Sequence, residues 1–181
     1  MVQLKHFKLS GGDLEEFRRV FKVGNIWSRL RDDGEAMRFW HVLSETPSGV
    51  RMHHGTGAVA LLTVKDDRIL DVMLLQGSEA EEVLRKEGLR ISGENRAKAG
   101  KYLRRSRIAS VAMNDAWPSG RGLQKLPCEA SGSGELLRFR LSWSGVLEVE
   151  TDSRGRIESY RFHEGGAAID LIRNVQNETG T

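Results

Sequence analysis

The sequence predicts an α+β fold built of two similar sheet-plus-helix units, an internal duplication packed around one core. Two observations lead there. Setting residues 57–86 against 145–174 without a gap places Gly57, Thr63, Arg68, Ile69, Gly77, Ala80 and Arg85 opposite Gly145, Thr151, Arg156, Ile157, Gly165, Ala168 and Arg173. Each stretch reads as strand, turn, strand, helix, with two short apolar runs around a charged turn, then Gly, then an amphipathic segment. With 39% hydrophobic residues in 181, the chain can bury one substantial core. The expected organisation is a single domain over 1–181, with a first unit at 1–90, a second at 91–176 and a flexible tail at 177–181.

The elements follow in order. Residues 2–9 alternate apolar and polar, which predicts an edge strand. Gly11-Gly12-Asp13 opens a helix, with Asp13 as its cap and Glu16 in capping-box spacing. Leu14, Phe17 and Phe21 recur at helical spacing, and Trp27 and Leu30 continue the stripe beyond a break at Gly24-Asn25. Residues 37–43 alternate, with Met37, Phe39, His41 and Leu43 on one face of a strand. Residues 50–64 contain a strand that is apolar on both faces, Lys65-Asp66-Asp67 turns the chain, and 69–75 return, a pattern that suits a central hairpin. Ser78 and Glu81 give a capping box for a short helix ending at Gly88.

In the second unit Ser92 starts a helix expected to run to about Arg105. Residues 108–113 read as a strand, and 114–134, rich in Gly, Ser and Pro, as a long loop. Leu137, Phe139, Leu141 and Trp143 alternate with Arg138, Arg140 and Ser142, a strand with one wet face. Residues 145–151 and 157–163 form a hairpin around Asp152-Ser153-Arg154-Gly155, and Ala168, Leu171, Ile172 and Val175 stripe a last helix.

Composition bounds the function. A formal net charge of +3 is mildly basic, so any nucleic acid would meet a local patch. The one cysteine, Cys128, excludes an intramolecular disulfide and a multi-cysteine zinc site. The N-terminal residues lack the apolar core of a signal peptide, and no apolar run approaches the roughly 20 residues of a membrane span. A cytoplasmic protein with no membrane partner is expected.

Residues 96–107 carry the strongest local signal. On a helical wheel, Arg96, Lys98, Lys101, Arg104, Arg105 and Arg107 fill one arc, opposite Ala99, Tyr102, Leu103 and Ser106. Such an arc can neutralise several phosphates, and its plain alternative is a solvated helix face. Trp117, near Arg121 in a Gly- and Ser-rich segment, has the character of a stacking platform for unpaired bases or of a protein hot spot. The alternative is a ring folded back onto the core. Arg138 and Arg140, with Arg161, line a cationic sheet face, unless Glu148, Glu150 and Glu158 pair with them across strands.

Catalytic signals are weak, and no catalytic residue, metal or cofactor is assigned. His53 and His54 are adjacent in a strand and point to opposite faces, so they cannot chelate one metal together. His41 reads as a core-edge histidine. Pairing of Cys128 with a histidine as nucleophile and base is a generic possibility in any chain with these residues. No phosphate-loop or dinucleotide glycine fingerprint occurs.

The segment Leu147-Glu148-Val149-Glu150-Thr151-Asp152-Ser153-Arg154-Gly155-Arg156-Ile157 resembles the central hairpin of the PUR-repeat family, in which an acidic-flanked strand runs through an Arg-Gly-Arg turn. That family, like the structurally related whirly-type proteins, stacks two ββββα units into a single-stranded nucleic-acid binder. The resemblance implies the same architecture and partner here, and no site residue is taken from it. The leading expectation is a non-enzymatic nucleic-acid-binding domain. The alternatives are a protein-interaction or assembly subunit, with a homodimer among its forms, and a cone-shaped α+β small-molecule-binding domain with His41 as an interior base.

Overall fold

A computed structural model describes residues 4–128, 132 and 134–178, with side chains in the last helix to residue 175. It has six helices and two four-stranded antiparallel sheets, an α+β fold. The chain divides into two compact units, Met1–Glu87 and Gly88–Thr181.

The first unit runs α1 (Gly11–Val20), α2 (Trp27–Asp32), β1 (Trp40–Thr46), β2 (Gly49–His54), β3 (Val59–Lys65), β4 (Arg68–Leu75) and α3 (Ser78–Glu87). Its strands pair in chain order, β1-β2-β3-β4. Phe17, Phe21 and Trp27 are buried and pack with Val50, Met52, Ala60, Leu62, Val64 and Ile69 of the sheet. The second unit runs α4 (Gly93–Tyr102), α5 (Ala109–Ala116), a 3-10 turn at Pro118–Gly120, β5 (Leu123–Leu126), β6 (Leu136–Leu141), β7 (Val146–Thr151), β8 (Ile157–His163) and α6 (Gly165–Glu178). Its strands also pair in chain order, β5-β6-β7-β8. Ala99, Leu103, Ala112, Met113, Ala116 and Trp117 bury against Leu141, Leu147 and Val149.

Several expected elements differ. Residues 4–9 form turns and extended chain, not an edge strand, because the backbone from Lys5 to Leu9 is tied down singly: Lys5 N–H to Thr56 O, Leu9 N–H to Gln76 Oε1. Residues 2 and 3 of that expectation lie outside the described residues. Ser10, not Asp13, caps α1, accepting from Asp13 N–H at 3.2 Å. α3 starts at Ser78 itself, after Gly77 at φ +65°. β1 begins only at Trp40, so Met37 and Phe39 precede it, and His41 is exposed. Residues 109–116 are a helix, because Ala109, Ala112, Met113 and Ala116 bury one helical stripe. A strand, β5, lies within the expected long loop. Of the expected tail, 177 and 178 are helical and 179–181 lie outside the described residues.

The same backbone hydrogen bonds recur in the two units. Gly77 N–H donates to Phe7 O, and Gly165 N–H to Leu89 O. Leu9 N–H meets the side chain of Gln76, and Ile91 N–H that of Glu164. Ile69 N–H donates to Asn25 O, and Ile157 N–H to Arg107 O. At Arg68, Ile69 and Gly77 against Arg156, Ile157 and Gly165, the ungapped pairing matches this pattern. Upstream it slips. Val64 pairs with Ile69 across the first hairpin, and Thr151 with Ile157 across the second, so Thr151 stands where Val64 does and not where Thr63 does. A second connection one residue longer, 152–156 against 65–68, accounts for the shift.

Candidate nucleic-acid interface

The basic stretch does not form one helical arc. α4 ends at Tyr102, where buried Leu103 caps it with N–H to Ala99 O, and Ser106 enters the left-handed region at φ +70°. Three of the six cations therefore lie beyond the helix. Four of the six have visible engagements. Arg96 Nη2 sits 2.8 Å from Glu164 Oε1, with its guanidinium over the Phe162 ring. Lys98 pairs with Glu94 one turn back at 2.9 Å. Lys101 Nζ lies 4.9 Å from the Tyr102 ring centroid. Arg107 reaches Asp115 at 2.5 Å and donates to Tyr102 O.

Arg104 and Arg105 remain exposed in the link between α4 and α5. That link is laced to the β7–β8 turn. Ser106 N–H donates to Ile157 O at 2.8 Å, Ile157 N–H to Arg107 O at 2.8 Å and Ala109 N–H to Gly155 O at 2.9 Å, and Ile108 bridges Arg156. Asp152 organises the turn. Its Oδ1 accepts from the N–H groups of Arg154 and Arg156, and its Oδ2 accepts from Arg156 Nε at 3.1 Å. The Arg156 N–H chiefly, with the Arg154 N–H and the Arg156 side chain, holds this carboxyl below its ordinary range against partial desolvation. Gly155, at φ +73°, supplies the left-handed residue. Arg154 is left exposed at the tip. Among the described residues, the side chains of Arg104, Arg105 and Arg154 meet no carboxylate within 4.0 Å. The Arg154-Gly155-Arg156 triplet is the sequence signal for Arg154, which composition and helical spacing do not single out. What the sequence withheld was the backbone pairing that links the segment carrying Arg104 and Arg105 to the turn carrying Arg154.

Trp117 is 6% exposed and packs in the core of the second unit, with Nε1 donating to Asn95 Oδ1 at 3.1 Å. It cannot offer a stacking face to a base, and it follows α5 into the core because Ala116 and Met113 pull the segment inward. Arg121 is exposed after the 3-10 turn. Arg138 and Arg140 project from one sheet face, as expected, but neither is available. Arg138 Nε lies 2.7 Å from Glu148 Oε2, and Arg161 Nε lies 3.1 Å from Glu148 Oε1. Arg161 also reaches Glu150, while Glu158 is exposed on β8. Burial opposes ionisation of Glu148, but the hydrogen bond and charge of Arg138, then His163 and Arg161, hold its carboxyl below the usual range. Arg140 is 2% exposed, and desolvation lowers its guanidinium to about 10.

His41 packs edge-on against His53, ring centroids 5.5 Å apart, and desolvation lowers its pKa. His54 turns the other way, onto Trp40 at 5.1 Å. Cys128 donates to Leu136 O. Among the described residues no group of His, Cys, Asp and Glu could hold a metal ion, and no helix is long and apolar enough to cross a membrane. In comparisons with known proteins, no family model, no curated protein and no solved structure gives a significant match to the chain.

Proposed function

We propose that the protein is a non-enzymatic nucleic-acid-binding protein whose contact is the corner formed by Arg104, Arg105 and Arg154. One observation carries this reading: the hydrogen bonds between 106–109 and 155–157 tie the segment that carries Arg104 and Arg105 to the turn that carries Arg154, three exposed arginines with no carboxylate partner among the described residues. Guanidinium groups placed so can each pair with a phosphate and release its condensed counterions. Lys101, one residue before the end of α4, is also exposed. The resemblance of this hairpin to the PUR-repeat turn supports the same partner. With Trp117 buried, the contact is to the backbone and not to stacked bases, so binding is expected to be modest and indifferent to sequence.

Anisotropy titrations with labelled single-stranded and duplex oligonucleotides test it. The wild type should bind at low salt with a dissociation constant of tens of micromolar or tighter, and the triple variant Arg104→Glu/Arg105→Glu/Arg154→Glu should not. Lys98→Ala, which removes a lysine already paired with Glu94, should leave binding nearly unchanged. Absence of wild-type binding, or retention in the triple variant, would overturn the reading.

A further inference from the structure

The first unit contains a cavity of about 490 Å³ that the basic corner does not explain. The segment before α1 builds one wall. Lys5 N–H donates to Thr56 O, and Lys8 N–H closes a turn onto Lys5 O. Gly57, at φ +98°, allows this segment to approach, since a Cβ there would lie 2.6 Å from Phe7 Cδ1. The turn after β2, fixed by Gly55 N–H to Phe39 O, adjoins it and adds Gly55 and Thr56 to the lining. The volume is within the range that accommodates a small organic ligand, roughly 300–1,000 Å³.

The lining is two-sided in character. Leu9 and Phe39 present apolar surface, and Phe39 is 38% exposed, unusual for a ring with a folded core nearby. Lys5 and Lys8 contribute two ammonium groups, and among the described residues neither has a carboxylate partner. The one carboxylate in the lining, Asp13, already accepts from Ser10 Oγ at 2.7 Å. At the base, His54 is 6% exposed. Its Nδ1 accepts from Thr56 N–H at 3.2 Å, which places the proton of the neutral ring on Nε2, the other nitrogen. Burial, opposed by Asp13 and Glu16, lowers the pKa of this ring.

We propose that this cavity binds a small organic anion, with a carboxylate or phosphate head held by Lys5 and Lys8 and an aromatic or acyl body laid against Phe39 and Leu9. The site uses no residue of the basic corner, so the two readings stand or fall separately.

The test is titration of the labelled full chain followed by amide NMR shifts, with phenyl phosphate, octanoate, inorganic phosphate and benzyl alcohol as probes. Phenyl phosphate or octanoate should shift Gly55, Thr56 and Leu9 in a saturable manner. Inorganic phosphate, which lacks the apolar body, and benzyl alcohol, which lacks the charge, should each bind at least about 10-fold more weakly. Lys5→Ala/Lys8→Ala and Phe39→Ala should each weaken the better probe by about 10-fold, while Arg104→Glu/Arg105→Glu should leave it unchanged. The substituted residues are exposed, and unchanged thermal melts would show that the variants still fold. The proposal is overturned if no probe gives saturable shifts at Gly55 and Thr56 up to about 5 mM, or if the double lysine variant binds as tightly as the wild type.

Discussion

Arg140 holds in the second sheet the position that His53 holds in the first. His53 pairs with Val59, which pairs with Leu75, and Arg140 pairs with Val146, which pairs with His163. Both side chains are buried, at 0% and 2% exposure. Burial lowers the Arg140 guanidinium to about 10, so the folded state disfavours its charge and gains stability only as pH rises above that value. At neutral pH the charge is therefore a cost. Arg140→Met should raise the unfolding free energy by about 1–3 kcal/mol in denaturant melts at pH 7. A loss of stability would show that contacts of Arg140 outweigh its desolvation.

The recurring hydrogen bonds predict matched local stability. Ile69 and Ile157 are both buried, and their N–H groups donate to Asn25 O and Arg107 O. In native-state hydrogen exchange both amides should fall among the slowest of their own unit. An experimental structure should superpose β4–α3 on β8–α6 with Ile69 over Ile157 and Val64 over Thr151. Fast exchange at one of the two, or Thr63 over Thr151, would contradict the equivalence.

Trp117→Phe removes the hydrogen bond to Asn95 while keeping most of the buried area. It should cost about 1–2 kcal/mol of stability and leave oligonucleotide affinity unchanged. A large loss of affinity with intact stability would restore the ring to a binding role.

Much of the architecture was legible and much of the site was not, for identifiable reasons. The β7–β8 hairpin announces itself through alternation and the β3–β4 hairpin through apolar runs around a charged turn, although β4 is an edge strand with an exposed face and not half of a central pair buried on both sides, and Ser92 marks the start of α4 as it should. α5 was hidden because Ile108 and Val111 carry strand character, while its true signal is four small or flexible residues, Ala109, Ala112, Met113 and Ala116, that commit to one face only when a sheet covers them. The wheel over 96–107 failed because the helix stops at Tyr102, where Leu103 leaves helical geometry and buries, and Ser106 then enters the left-handed region, turns that neither residue type announces. Arg140 alternates as a wet-face residue, yet burial is decided by what covers the sheet, which strand periodicity cannot encode. The same holds for the link between the segment of Arg104 and the turn of Arg154, and for the cavity beside His54, both built from segments far apart in the chain.

Glu148 gives the second sheet an acid-sensitive point. Its folded pKa lies below the ordinary carboxyl value of 4.5, so its stabilising effect is complete above that value and is lost as pH falls through the folded one. Glu148→Gln should cost about 1–3 kcal/mol at pH 7 and flatten the fall in stability below about pH 4.5. A variant whose acid limb parallels the wild type would mean that the Arg138 and Arg161 pairs do not govern it.

The nucleic-acid reading is tested most directly by the salt dependence of binding. Three arginine–phosphate contacts at Arg104, Arg105 and Arg154 predict a log–log slope of about −2 for single strands, near −0.7 per contact. Arg104→Ala/Arg105→Ala should reduce the slope to about −0.7 and weaken every oligonucleotide sequence alike, whereas Lys98→Ala should leave it at about −2. A wild-type slope near zero, or one that the arginine substitutions do not change, would contradict the account.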